Sequence, residues 1–129
     1  MIRKYNCKGI DIMNYDSKKY NVLLLEKFPS LKEEFDEYTS WQDGINTGST
    51  LIYEDVFVPY VIKQLVNDNT EELEKISSLI EDLITSNDEY AVNIAYVAIL
   101  ESLKSDSSGQ KIEGFLKQHS KKEYNELTF

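Results

Sequence analysis

The sequence contains few of the residues from which disulfides and metal sites are built. It has one cysteine and one histidine among 129 residues. Because Cys7 has no partner for a bridge within the chain, we expect a reducing compartment. One cysteine and one histidine at opposite ends of the chain are too few soft ligands for a zinc site. The sequence therefore predicts neither a metal nor another cofactor.

Long apolar runs are also missing. The densest stretch, residues 91–100, is interrupted by Asn93 and is too short to span a bilayer. The basic N-terminus is followed only by the short apolar run Val22-Leu23-Leu24-Leu25, which is not the apolar core of a signal peptide. We therefore expect a soluble, cytoplasmic protein with no contact to a membrane.

No catalytic motif is complete. His119, the single histidine, has no second catalytic group placed beside it. The segment from Gly44 to Thr50 resembles a phosphate-binding loop but lacks its lysine, and its spacing is one residue short. Neighbouring carboxylates point about 100° apart on a helix, so adjacent acids do not converge on one ion. The prediction is a protein without enzyme activity; a small carboxylate-dependent hydrolase stays as an alternative that needs converging acids.

Acidic residues are abundant and unevenly distributed. The net charge is −9, from 14 basic and 23 acidic side chains. Residues 1–25 carry five basic and two acidic side chains (+3), residues 26–101 carry four and seventeen (−13), and residues 102–129 carry five and four (+1). A field of this sign repels phosphate backbones, which argues against nucleic acid as a partner, and it attracts basic proteins. A surface that only keeps the protein in solution is the alternative.

Apolar residues recur with helical spacing along most of the chain. The pattern predicts an all-α single domain over residues 1–129, in which residues 1–15 form a weakly ordered arm or an edge strand. Short turns between residues 56 and 103 favour antiparallel helix hairpins, the arrangement that is also found in HEAT-like stacks. The nearly all-apolar helix over residues 90–103 is expected at the centre.

Several residues are predicted to begin helices. Ser30 with Glu33 and Ser86 with Glu89 have the spacing of a capping box. Asp55 is expected to cap a helix that carries Pro59 in its first turn, where a missing N–H costs least.

Aromatic and acidic residues suggest a binding surface. The chain has nine tyrosines and a single tryptophan, and such side chains often anchor interfaces. Trp41 and Tyr53 flank the glycine-containing loop and are the predicted anchors. The acids predicted to contact the partner lie beside them or on the outer face of a later helix. These acids are Asp43, Glu54, Asp55, Glu71, Glu74, Glu81 and Asp82.

Three short motifs resemble a family of small, acidic, helical bacterial proteins of unassigned function. The similarity runs from about residue 20 to the C-terminus. The motifs are Phe28-Pro29-x-Leu31-Lys32-x-Glu34, Asp55-Val56-Phe57-Val58-Pro59-Tyr60, and Asn87-Asp88-Glu89 before an apolar helix that ends Leu100-Glu101-x-Leu103. Proteins of this kind often lie near polymorphic or contact-dependent toxin genes, where small acidic partners act as immunity proteins. The resemblance implies an all-helical fold and no enzyme activity.

The resulting expectation is a non-enzymatic protein-binding domain. Its most concrete form is an immunity protein that neutralises a basic toxin domain through its acidic surface. A structural or adaptor domain with another protein partner is the second hypothesis, in which the acidity serves solubility alone.

Overall fold

The computed structural model describes residues 16–127, and every regular element in that range is helical. The prediction of an all-α single domain is confirmed. The predicted arm or edge strand over residues 1–15 lies outside the described residues. Within residues 16–127, no helix has both the length and the apolar character needed to cross a membrane.

Eight α-helical segments are connected by short turns. They are α1 (Ser17–Lys27), α2 (Lys32–Thr39), α3 (Ser49–Ile52), α4 (Val58–Val66), α5 (Thr70–Ile84), α6 (Glu89–Asn93), α7 (Glu101–Lys104) and α8 (Gln118–Glu126). Three 3-10 helices lie between them, at Pro29–Leu31, Gly44–Asn46 and Gly109–Phe115. Two π-helical turns, Tyr53–Phe57 and Ile94–Leu100, join α3 to α4 and α6 to α7. Residues 49–66 and 89–104 therefore each form one uninterrupted helix.

The predicted helix start at Asp55 is wrong, because the helix begins about two turns earlier. Gly48 is the N-cap of α3, and Asp55 lies inside the π-helical turn. Pro59 therefore sits within a continuous helix, where its ring would meet the carbonyl of residue 55 in regular α-geometry. The wider π-helical turn directly before Pro59 relieves that clash.

The predicted capping boxes do not form. The α2 helix begins from the 3-10 turn Pro29–Leu31, without a side-chain hydrogen bond at its cap. At α6 the cap is Asp88, whose carboxylate accepts from Tyr90 N–H, while Ser86 Oγ accepts from Asp88 N–H. Asp16 caps α1 in the same way, by accepting from Lys19 N–H. The spacing of a serine three residues before a glutamate therefore indicates both regions in which a helix begins. It does not identify the residue that caps the helix.

The helix over residues 89–104 is the centre of the core, as predicted. Ten of the eleven residues 90–100 are buried; Val97 is half-buried. Its π-helical turn packs against α5 and against the other π-helical turn, Tyr53–Phe57. The α4 and α5 helices pack side by side across the turn at residues 67–69, which confirms the expected hairpin.

A buried polar cluster joins α1, the start of α3 and α6. Asn21 Nδ2 donates to the carbonyl oxygens of Ile45 (2.9 Å) and Thr47 (2.7 Å), and Asn21 Oδ1 lies 2.8 Å from Ser49 Oγ, which donates to it. The Ser49 N–H donates to Tyr90 OH at 3.0 Å and to Ser17 Oγ at 3.2 Å. Asn21 and Ser49 have no exposed surface. Each of these polar groups is therefore paired within the protein rather than with water.

Replacing Asn21 with alanine should destabilise the fold. The substitution leaves two backbone carbonyls and the Ser49 hydroxyl without this partner, and each buried group left unpaired costs about 1–3 kcal/mol. We expect Asn21→Ala to lower the free energy of unfolding by about 2–4 kcal/mol, measured by urea denaturation. Asn125→Ala, at an exposed position of α8, is the matched control, with an expected change within about 0.5 kcal/mol. Equal effects in the two variants would contradict the role of the cluster.

Gly109 is required by a close approach of two backbones. A Cβ atom at this position would lie 2.6 Å from the carbonyl oxygen of Leu103. We expect Gly109→Ala to lower the free energy of unfolding by about 1–3 kcal/mol, because backbone atoms must move. At Gly114 a Cβ atom meets nothing within 4 Å. In thermal unfolding, Gly114→Ala should therefore be as stable as the parent or slightly more stable. A larger loss of stability in Gly114→Ala than in Gly109→Ala would refute the argument.

Candidate functional site

Trp41 lies on the surface just beyond the end of α2. Its side chain is 92% exposed, the largest exposure among the large apolar residues of the described range. The neighbouring Gln42 Nε2 donates to the carbonyl oxygen of Tyr38, which links this loop to the last turn of α2. Leu51, in α3, is a second exposed apolar residue at 44%. Trp41 is therefore accessible to a partner, and its contact with one stays a prediction.

Tyr53, the other predicted anchor, is buried completely. It packs edge to face against Phe57, with 5.7 Å between ring centroids, and its hydroxyl donates to the carbonyl oxygen of Tyr20 at 2.7 Å. The prediction that Tyr53 contacts a partner is wrong. It failed because a loop over residues 41–50 and a helix capped by Asp55 leave Tyr53 outside any helix, whereas Tyr53 lies in a helix that begins at Ser49 and faces the core.

Three predicted acids follow Trp41 in the chain. Asp43, Glu54 and Asp55 are all exposed. Asp43 follows Trp41 by two residues, and Glu54 and Asp55 lie on the π-helical turn that packs against α2. Because that turn replaces a helix start, Asp55 is available as a surface carboxylate rather than a cap.

An acidic cleft of about 600 Å³ runs between α2 and the helix over residues 49–66. Its floor includes Leu31, Val56 and Pro59. Its remaining lining is polar, aromatic or charged, and comprises Ser30, Glu34, Glu37, Tyr38, Asp55, Tyr60 and Lys63. Three carboxylates face one ammonium group, so the lining has a net charge of −2. Tyr38 and Asp55 connect the two walls through a hydrogen bond of 2.5 Å.

Tyrosine hydroxyls donate to carboxylates at three places in the fold. Tyr38 donates to Asp55, Tyr20 donates to Asp88, and Tyr60 donates to Glu72. The hydrogen bond to Asp55, together with burial, raises the pKa of Tyr38. Burial and then the bond to Glu72 raise the pKa of Tyr60. Much of the tyrosine content therefore serves to join neighbouring helices.

The predicted acids of α5 divide into exposed and engaged ones. Glu71 and Asp82 are exposed. Glu74 forms an ion pair of 3.5 Å with Lys117, just before α8. Glu81 is largely covered by α8, so only the first two remain open to a partner over their full surface.

Glu81 holds the beginning of α8. Its carboxylate accepts from the N–H groups of His119 (3.1 Å) and Ser120 (2.9 Å) and from Ser120 Oγ (2.9 Å), and it lies 2.6 Å from His119 Nδ1. Burial by itself would raise the pKa of Glu81, but the hydrogen bonds from Ser120 and His119 outweigh it and lower the pKa. His119, for which the sequence predicts no neighbouring catalytic group, is exposed and lies against Glu81.

The other end of α8 is held by a cation. Lys104 Nζ donates to the carbonyl oxygens of Tyr124 (2.8 Å) and Leu127 (2.9 Å), and it lies 4.8 Å from the centre of the Tyr124 ring. A carboxylate at the N-terminus and an ammonium group at the C-terminus both match the helix dipole. The sequence does not predict these contacts, because Glu81 and Lys104 lie far along the chain from residues 118–126.

The alternative of a carboxylate-dependent hydrolase needs acids that converge in a pocket. Across residues 16–127, no three histidine, cysteine or acidic side chains come together as a possible metal site. The acids of the cleft are exposed, and the structure pairs Asp55 with Tyr38 rather than with a second carboxyl group.

The fold and this surface define a small all-helical protein with an acidic cleft and an exposed tryptophan. Residues 21–129 match the model of a family described as a domain of unknown function, DUF7674, and the chain belongs to that family. A search of curated proteins and a search of solved structures found no match. The predicted resemblance to small helical proteins of unassigned function is confirmed to this extent, and the resemblance to immunity proteins stays a prediction.

Glu81 should make the stability of the fold depend on pH. Because folding lowers the pKa of this carboxyl group, its contribution is complete above the pKa of glutamate in an unfolded chain, about 4.3, and is lost as the pH falls through the lower pKa of the folded state. We expect Glu81→Gln to lower the free energy of unfolding by about 1–3 kcal/mol at neutral pH. The difference from the parent should shrink as the pH falls below about 4.3, measured by urea denaturation.

The matched control is Asp82→Asn, which removes the same charge at the next, exposed residue. It should change stability by less than about 0.5 kcal/mol at neutral pH. An equal loss in both variants, or a deficit of Glu81→Gln that stays constant in acid, would rule out the proposed source of the pH dependence.

Proposed function

We propose that this protein is a non-enzymatic, cytoplasmic protein-binding domain that acts as an immunity protein against a basic bacterial toxin. The observation that carries the proposal is Trp41, which is 92% exposed and follows Tyr38, a residue of the acidic cleft, by three residues. The single cysteine and the resemblance described above support the compartment and the partner class.

Trp41 has the properties of an interface anchor. Burying a tryptophan side chain removes about 150–250 Å² from water, which is worth on the order of 4 kcal/mol before the costs of association. Tryptophan is among the residues most enriched where alanine substitution weakens binding strongly. Leu51, about one helical turn before Asp55, adds exposed apolar surface on α3. A partner that covers both residues gains affinity from apolar contact.

The charge around Trp41 favours a basic partner. Residues 26–101 hold four basic and seventeen acidic side chains, and the exposed acids Asp43, Glu54 and Asp55 lie in this range. Such a field speeds the approach of a cationic surface, and salt weakens it. Nucleic acid and anionic membranes are disfavoured partners for the same reason. Glu71 and Asp82 on α5 offer a further exposed acidic surface for a large partner.

An immunity protein neutralises its toxin by covering the surface on which the toxin acts. An anchor within an acidic surface fits a toxin domain whose active site binds an anionic substrate, since that site is itself basic. The adaptor hypothesis uses the same surface for a partner without toxic activity. Neutralisation, and not binding alone, distinguishes the two hypotheses.

Charge reversal at the proposed surface should slow binding to the toxin. The experiment uses the full chain and the product of the adjacent gene, with association rates measured at low and high salt. We expect Glu54→Lys with Asp55→Lys to slow association about tenfold or more at low salt, and the difference to shrink at high salt. Trp41→Ala should mainly speed dissociation, because it removes an apolar contact.

The matched control is Glu113→Lys with Glu126→Lys, which makes the same change in net charge at exposed positions outside the proposed surface. It should slow association clearly less than the reversal at Glu54 and Asp55.

In a separate experiment, co-expression of the parent chain should restore growth of cells that produce the toxin. No binding to the product of the adjacent gene, or binding without protection, would reject the immunity function. Capture of a non-toxic protein at the same surface would favour the adaptor hypothesis.

A further inference from the structure

We infer that the cleft between α2 and residues 49–66 binds an arginine side chain of the partner protein. This inference rests on the proposed function, because it names the group that a protein partner presents to the cleft. It concerns a single pocket rather than the charge of the whole surface.

The cleft has the size and lining of a binding pocket. A volume of about 600 Å³ is within the range of about 300–1,000 Å³ that is usual for pockets that bind small ligands. The apolar floor residues Leu31, Val56 and Pro59 can contact the aliphatic part of a long side chain. The charged head of that side chain would then lie among the polar groups of the rim.

Two tyrosine rings line the cleft and are fixed in position. Tyr38 is held by its hydrogen bond to Asp55 on the opposite wall. Tyr60 is held by its hydrogen bond to Glu72 and by edge-to-face contact with Phe28, at 5.9 Å between ring centroids. Rings that are already ordered lose little conformational freedom when a ligand binds. Their faces attract cations, and a planar guanidinium group also stacks on them.

The carboxylates of the rim complete the site. Within residues 16–127, Glu34 and Glu37 form no hydrogen bond or ion pair through their side chains. Asp55 uses one oxygen for Tyr38, and a carboxylate has about four acceptor positions, so it can still accept from a ligand. Three carboxylates against the single ammonium group of Lys63 leave an excess of negative charge.

Arginine fits this arrangement better than lysine. Its guanidinium group is planar, presents five donors, and can bond to carboxylates in pairs while it stacks on an aromatic ring. The ammonium group of lysine is compact and strongly hydrated, so it gains less from the rings. The expected partner therefore places an arginine in the cleft, beside an apolar patch that contacts Trp41.

The test is an NMR titration of the full-length chain with N-acetyl-arginine amide, followed through backbone amide shifts. N-acetyl-citrulline amide is the matched probe, because it has nearly the same shape without the charge. We expect the amide shifts of cleft residues to saturate with arginine amide, with a dissociation constant on the order of 1 mM. Citrulline amide should bind at least about tenfold more weakly. Asp55→Asn with Glu37→Gln should weaken the binding of arginine amide about tenfold.

Glu113→Gln with Glu126→Gln is the control, since it removes the same charge elsewhere and should leave the affinity unchanged. Equal affinity for both probes would overturn the inference. Shifts that are spread over all acidic surfaces and decrease as salt is added would also overturn it. Failure of the inference and failure of the proposed function give different results: a chain that binds arginine amide in the cleft but protects against no toxin rejects the immunity function alone. A chain that neutralises the toxin without arginine in the cleft rejects the inference alone.

Discussion

The arrangement of the helices depends on the buried hydrogen bonds around Asn21 and Ser49. These bonds fix the distance between α1, the 3-10 turn Gly44–Asn46 and the beginning of α3. Tyr90 extends the same cluster to α6, and thereby to the central helix. Apolar packing alone tolerates small shifts of one helix along another, whereas buried polar groups must keep their partners. The position of residues 49–66, which carry Glu54 and Asp55, is therefore fixed at the first residue of the helix, Ser49.

The surface features follow from that placement. Residues 49–66 are held against α1 and α6 on one side. Their other side faces α2, and the cleft lies between α2 and residues 49–66. The π-helical turn lets the helix continue through Pro59 and carries Asp55 towards Tyr38 rather than to a helix end. An irregular turn that is needed to accommodate proline thus also positions a carboxylate. Trp41 emerges where the chain leaves α2 and is not covered by any packed element of the described range.

Periodicity predicted what depends on neighbours in sequence. The all-α fold, the central helix over residues 90–103 and the α4–α5 hairpin follow from the spacing of apolar residues and from short turns. The sequence predicts Tyr53 and Glu81 at the surface, because no neighbouring residue in the chain indicates their partners. Tyr53 bonds to Tyr20, and Glu81 bonds to residues 119–120. Asp55 was assigned to a helix start because a π-helical turn has no sequence signature comparable to a proline in a first turn. Of the predicted site, Trp41, Asp43, Glu54 and Asp55 are all exposed, while the cleft itself depends on tertiary packing that the sequence does not reveal.

The charges at the two ends of α8 determine which way round this helix packs. Its buried residues Ser120, Tyr124 and Leu127 form a small contact that a short helix could offer to α5 in either direction. Reversal of the helix would place its free carbonyl groups against the carboxylate of Glu81 and its free N–H groups against the ammonium group of Lys104. Both contacts would then be repulsive. The pair of opposite charges therefore gives α8 a unique polarity, which its modest apolar surface would not specify.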